Sequence, residues 1–408
     1  MLTRRAAILS LSSVATASAQ RPNLSSLPCG PNSGMPFLAP SRDGGAILSW
    51  LEPLTPERYS LRASRWRKGA WSEPQEIAAG DNWFINWADF PSIVELDSGT
   101  LLAHWLDRVG KGAYGYGIRV ARAETWGSKW TETFFAPPSD PKDYSGFLSF
   151  TKTPKGAAAV YLAPPPANPA APAPAATTIA HSDHGMSEEG HRKTLRFVEF
   201  DAAGRPAGDR ELDPDTCSCC QTTITTTRRG LIAAYRDHLP GEVRDISSLH
   251  LLNGQWSKPQ PVHRDGWVIN GCPTDGPSLA SKNDTLAAVW LTRAVDTPKV
   301  QLALSRDGGA TYSAPLRLDE GKPLGRPSLT MLGDDFLVTW LEKTTSGTEI
   351  RLRRVTPAGS LKQSVSVAPV PASRTTGFPR LVVSGDRILL TWREGRVQLA
   401  TLDAASIA

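Results

Sequence analysis

The stretch Asp284-Thr-Leu-Ala-Ala-Val-Trp290-Leu291 runs from a turn residue through apolar residues to an aromatic. The same order recurs in Gly45-AILSW-Leu51, Gly99-TLLAHW-Leu106, Gly156-AAAVY-Leu162, Gly230-LIAAY-Arg236, Asp335-FLVTW-Leu341 and Asp386-RILLTW-Arg393. The aromatic falls at Trp50, Trp105, Tyr161, Tyr235, Trp290, Trp340 and Trp392, at spacings of 55, 56, 74, 55, 50 and 52 residues. The long interval holds a Pro/Ala tract, Ala163 to Ala176, which reads as a low-complexity loop inserted in the third repeat over 163–193. A period of this length is the mark of a repeat architecture.

Each copy keeps the same neighbours. About ten residues upstream lies a short strand behind a small or Pro-containing turn, as in Phe90-PSIVEL, Gly276-PSLAS, Gly325-RPSLTML and Phe378-PRLVVS. Downstream lies an alternating strand, as in Ile118-RVARAE, Val300-QLALS and Val397-QLATL. A segment apolar at nearly every position suits a sheet covered on both faces. One small sheet cannot cover itself, whereas sheets stacked around an axis bury each other and protect their edges. The expected fold is therefore all-β, a β-propeller of seven blades. The last repeat stops after its third strand, so the segment around Arg21 to Leu27 is expected to supply the fourth and close the ring.

Composition agrees with one globular β domain. Of 408 residues, 40% are hydrophobic and 21% charged, and 34 Gly and 34 Pro supply turns. Residues 1–19 are read apart from the domain at 20–408. Arg4 and Arg5, the short apolar stretch after them and Ala17-Ser18-Ala19 form a secretory signal, either general or twin-arginine in type. The expected location is periplasmic or secreted, with no membrane-spanning segment. The formal charge of +5 falls to +3 without Arg4 and Arg5, and the bases are scattered, so nucleic acid is not an expected partner.

Ser305-Arg-Asp307-Gly308-Gly309-Ala-Thr-Tyr312 lies between a third and a fourth strand. It resembles the Asp box (S-x-D-x-G-x-x-aromatic) of the sialidase-like propellers with BNR repeats. The resemblance implies a structural turn built on Ser305, Asp307, Gly309 and Tyr312. The chain also resembles exported proteins labelled exo-α-sialidase, which share Cys-x-Cys-Cys-Gln-Thr and Asn-Gly-Cys-Pro. It lacks the Arg-Ile-Pro motif of sialidases, and six blades, the usual sialidase number, is the alternative count.

Loops entering the first strand of a blade share a propeller face with loops joining its second and third strands. Unusual residues collect there, so that face is the expected site. Asp89, Asp237, Glu242, Asp245 and Asp275 are candidates for carboxylate catalysis. Arg236, Arg244, Arg326 and Arg374 are candidates to hold an anionic sugar, with Trp87 and Trp267 as stacking platforms. The competing reading pairs Arg236 with Asp237 and Arg244 with Asp245 as structural ion pairs. Cys217, Cys219 and Cys220 open the fourth repeat and Cys272 the fifth, so the four are expected to meet. They form either disulfides or a thiolate site for copper or zinc, with His238 as a further candidate ligand. Cys29 is expected to stay incidental and His104 to be structural. His181, His184 and His191 flank the Pro/Ala tract as a solvated loop or as metal ligands.

Three functions fit: a sialidase-like protein that cleaves or binds a glycan or other small ligand, a metal- or thiol-dependent protein, and a non-catalytic interaction propeller.

Overall fold

The computed structural model describes residues 23–24, 27–110, 112, 114–166 and 192–407. The signal segment and His181, His184 and His191 lie outside them. Seven antiparallel sheets follow one another along the chain. The protein is a seven-bladed β-propeller, and the six-blade alternative is excluded. Blades 1 to 6 span 34–80, 92–136, 146–216, 223–263, 278–317 and 323–370. Blade 7 is made of Arg380–Ser384, Arg387–Glu394, Arg396–Asp403 and the pair Asn23–Leu24.

That pair closes the ring. Asn23 stands opposite Thr401 and Leu24 opposite Ala400, so the N-terminal segment supplies the outer strand of the last blade. The Ser384 hydroxyl donates to the Gly44 carbonyl at 2.8 Å, a second link between blades 7 and 1.

The repeated aromatic sits on the second strand of every blade. Trp50, Trp290 and Trp340 are wholly buried, and Tyr161, Tyr235, Trp105 and Trp392 nearly so. The Trp340 indole N–H donates to Glu342 at 2.8 Å, the Trp290 indole to Asp265 at 2.6 Å, and the Tyr161 hydroxyl to Asp209 at 2.7 Å. These rings fill the space between blades while their polar ends find an acceptor, whereas the Trp392 indole nitrogen is buried without one. Cys29 is buried in the core between blades 7 and 1 and is unpaired, with its thiol pushed up to about 12 by burial.

Candidate functional site at the axial mouth

The first strands of all seven blades line a channel of about 210 Å³ along the axis. Strand register fixes one level of it. The residue paired with the position just before the repeated aromatic is Phe37, Ser92, Ser149, Thr223, Ser278, Ser328 and Arg380 in blades 1 to 7. All seven line the channel. Five small hydroxyl residues, one phenylalanine and one arginine therefore share a ring.

Arg380 was not singled out from the sequence. The signal lay in the repeat: Pro91-Ser92, Pro277-Ser278 and Pro327-Ser328 align with Pro379-Arg380. Its guanidinium lies 4.7 Å from the Phe90 ring, 5.5 Å from Phe37 and 5.9 Å from Phe378. Its Nε is buried without a partner, and it makes no ion pair among the described residues. Burial pushes it down to about 10. Aromatic faces offset part of the cost of burying this cation, and no anion completes it.

Above the ring, Trp87 stacks on Phe378 with centroids 5.8 Å apart and planes inclined by 12°. Arg326 lies 4.8 Å from Trp87 and donates from Nη1 to the carbonyls of Ser373 and Gly377, both at 2.9 Å. Arg374 is exposed at the start of a short 3₁₀ turn, Arg374–Thr376. The mouth is thus aromatic and basic.

The expected carboxylate pair does not form there. Asp89 is the only carboxylate among the described residues lining the channel. It accepts the Phe147 N–H at 2.9 Å and the Tyr116 hydroxyl at 3.1 Å. Asp275 accepts the Arg326 N–H at 2.9 Å. Phe147 and Arg326 each have φ of 56° and each follow a glycine at the start of the next blade. A Cβ on Gly146 would lie 2.0 Å from the Asp89 carboxylate, and one on Gly325 would lie 2.3 Å from that of Asp275. The two aspartates thus tie neighbouring blades together. Burial raises Asp89 to about 7 and Asp275 to about 6.

Around blade 4 the remaining candidates separate in the same way. Arg236 is buried, 4.7 Å from the Trp267 ring, and donates to the carbonyls of Asp275, Leu291 and Arg244 at 2.6–2.9 Å. Asp245 accepts the Gly266 and Trp267 N–H groups, both at 3.0 Å. Asp237 accepts the Ser247 hydroxyl at 2.6 Å and the His238 N–H at 2.8 Å, and burial raises it to about 6. The expected Arg236–Asp237 and Arg244–Asp245 ion pairs are replaced by these backbone bonds and by an Arg244–Glu242 pair at 2.5 Å.

His238 is the open part of this cluster. Its Nδ1 lies 2.9 Å from Asp215 and its Nε2 3.2 Å from Glu242. The hydrogen bond from Arg244 holds Glu242 below its ordinary range. His104 is buried, with Nδ1 at 2.9 Å from the Ser92 hydroxyl, and burial lowers it to about 3.

None of the four expected thiols is in a disulfide, and the sulfurs of Cys217, Cys219 and Cys220 cluster. Cys217 Sγ lies 3.8 Å from that of Cys219 and 3.2 Å from that of Cys220. Cys272, from the loop entering the next blade, neighbours Cys219. His238 is committed to carboxylates rather than to the sulfurs.

The Ser305–Tyr312 loop lies at the opposite end of blade 5. Asp307 accepts the Thr311 N–H at 3.0 Å and its hydroxyl at 2.6 Å, and the Ser305 hydroxyl accepts the Gly309 N–H at 2.9 Å. Burial alone would raise Asp307, but these bonds lower it to about 2. The Tyr312 hydroxyl reaches that of Ser248 in blade 4 at 3.3 Å.

No protein-family model matches the chain. No curated protein matches it either. Solved structures do match in shape. An ulvan lyase of polysaccharide lyase family 25, bound to -[GlcA(1-4)Rha3S]-, is 11% identical with a TM-score of 0.54, over 94% of this chain and 96% of that one. A puromycin-hydrolysing peptidase of Mycobacterium tuberculosis is 12% identical with a TM-score of 0.51, over 98% of this chain but 55% of the peptidase. A sialidase of Streptococcus pneumoniae is 10% identical with a TM-score of 0.47, over 89% and 84%. What the lyase and the peptidase share with the chain is its fold.

Proposed function

We propose that the protein, exported from the cytoplasm, binds an anionic glycan end-on at the axial mouth. The observation that carries this reading is Arg380, a half-buried residue whose Nε is buried without a partner, which lines the channel within a ring of hydroxyls and pairs with no carboxylate among the described residues. A carboxylate or sulfate at the end of a sugar chain supplies that anion through a charge-assisted bond. Trp87 and Phe378 offer an aromatic surface for the sugar behind it. Arg374 and Arg326 add positive potential around the opening. The ligand named for the ulvan lyase belongs to the same chemical class.

The reading is one of recognition rather than hydrolysis. A paired-carboxylate mechanism needs two acids across the scissile bond. Asp89 alone lines the channel, and its oxygens hold Phe147 and Tyr116.

Calorimetric titration with glucuronate-, sialate- and sulfate-terminated oligosaccharides and their neutral counterparts tests the proposal. Acidic oligosaccharides should bind and neutral ones should not. Arg380→Gln should weaken binding by about tenfold or more, the loss of one charge-assisted bond. Equal binding of neutral sugars, or an unchanged Arg380→Gln variant, overturns it.

A further inference from the structure

Three clustered cysteines on one loop, with a fourth on the next loop, lie beside the mouth, and the glycan reading makes no use of them. Cys217, Cys219 and Cys220 come from the loop entering blade 4, and Cys272 from the loop entering blade 5. The sulfurs of the first three all lie within 4.8 Å of one another. Those three residues are buried or nearly so, whereas Cys272 is exposed.

The separations suit an ion held between the sulfurs. Four thiolates at about 2.3 Å from a tetrahedral centre stand about 3.8 Å apart. Among Cys217, Cys219 and Cys220 the observed 3.8 Å and 3.2 Å separations, with an outer limit of 4.8 Å, bracket that value, and Cys272 would have to swing in to complete the set. A disulfide would need about 2.05 Å. The surrounding protein already holds the loop in place. The Cys217 N–H donates to the Arg236 carbonyl at 3.1 Å. The Tyr144 hydroxyl donates to the Ser218 carbonyl between the clustered cysteines. Gln221, the next residue, donates from its side chain to the Ala88 carbonyl at 2.7 Å and accepts the Gly276 N–H at 3.0 Å. Arg244 acts on both Cys217 and Cys272 as a neighbouring positive charge. It would offset the negative charge of a metal–thiolate centre.

We infer that Cys217, Cys219, Cys220 and Cys272 form a binding site for one soft d¹⁰ ion, zinc(II) or copper(I). Binding forms a metal–sulfur bond at each cysteine that ligates, and each thiol that enters as S–H gives its proton to solvent. No electron is exchanged. The site is separate from the channel, so its failure and that of the glycan reading are distinguishable.

The test uses the full chain, prepared under reductant without oxygen and stripped of metal. It is titrated with zinc(II) and with copper(I) against chelators of known affinity, and with cobalt(II) as a spectroscopic probe. One equivalent of zinc(II) or copper(I) should bind with release of protons, and cobalt(II) should give sulfur-to-metal charge-transfer bands. The tighter ion identifies the occupant. Cys272→Ser, at an exposed position, should lower affinity by more than the roughly 10–100-fold that loss of an outer-shell partner costs. Cys29→Ser and Arg380→Gln should leave metal binding unchanged. Three results overturn the inference: no stoichiometric uptake of either ion, unchanged uptake by a Cys217→Ser/Cys272→Ser double variant, or fewer than five alkylatable thiols in the unfolded, oxygen-free protein.

Discussion

The Asp89 carboxylate accepts the backbone N–H of Phe147 at 2.9 Å, so a side chain on the loop entering blade 2 holds the first turn of blade 3. Asp275 and Arg326 repeat the bond between blades 5 and 6. Asp89→Ala leaves the Phe147 N–H buried without an acceptor. The expected cost is about 1–3 kcal/mol, read as a lower midpoint in urea unfolding. An unchanged midpoint would show that the bond adds nothing.

The same carboxylate makes stability depend on pH with a definite sign. Its folded value of about 7 lies above the ordinary 3.8, so the folded protein binds the proton more tightly than the unfolded chain. That contribution is fully present below about pH 4 and is lost as pH rises through about 7. Asp89→Asn should therefore show a shallower fall in stability between pH 4.5 and 7.5 than the parent. Parallel curves would place the titration elsewhere.

His104 acts in the opposite direction. Burial holds it near 3, below its ordinary 6.5, so the unfolded chain takes up a proton that the folded protein refuses. The stability it contributes is present above about pH 6.5 and is lost as pH falls toward 3. His104→Gln should remove this acid sensitivity, as measured by unfolding at pH 7 and pH 4.5. An equal loss of stability in both proteins between those pH values would refute the assignment.

Gly325 tests the close approach between blades 5 and 6. Its φ is 94°, and a Cβ there would lie 2.3 Å from the Asp275 carboxylate. Gly325→Ala should destabilise by about 1–3 kcal/mol through left-handed strain and displacement of Asp275. A melting temperature equal to the parent's would mean that the bulge relaxes freely.

Ring closure gives the bluntest prediction. Among the described residues, Asn23–Leu24 is the outer strand of blade 7. Removing residues 20–26 exposes the edge at Thr401 and Ala400. The melting temperature should fall measurably, since each kcal/mol lost moves it by about 1 °C at this size. Identical melting curves would mean that the pair contributes nothing.

The blades were legible because one physical demand recurs seven times. A strand covered on both faces must be apolar throughout, and the space between blades needs a large ring, so Trp290 and its counterparts announce themselves. The closing strand followed from a missing partner for Val397 to Leu402. The roles of Asp89, Asp245 and Asp275 did not follow, because a carboxylate that accepts backbone N–H groups reads the same as one free to react. Their bonds to the N–H groups of Phe147, Gly266, Trp267 and Arg326 separate the two. Arg380 was hidden for another reason. Its meaning lies in the contrast with Ser92, Ser278 and Ser328, which appears only once the first strands are set in register.

That contrast has a directional consequence. A channel walled by seven equal residues would offer an entering ligand seven equivalent orientations about the axis. Arg380 replaces one hydroxyl with a charge on one side, and Phe37 stands next to it around the ring. A bound anion would be drawn off-centre toward blade 7, and the chain attached to it would leave the mouth along one azimuth. The fold supplies the rotational symmetry, and a single departure from it gives a symmetric well a heading.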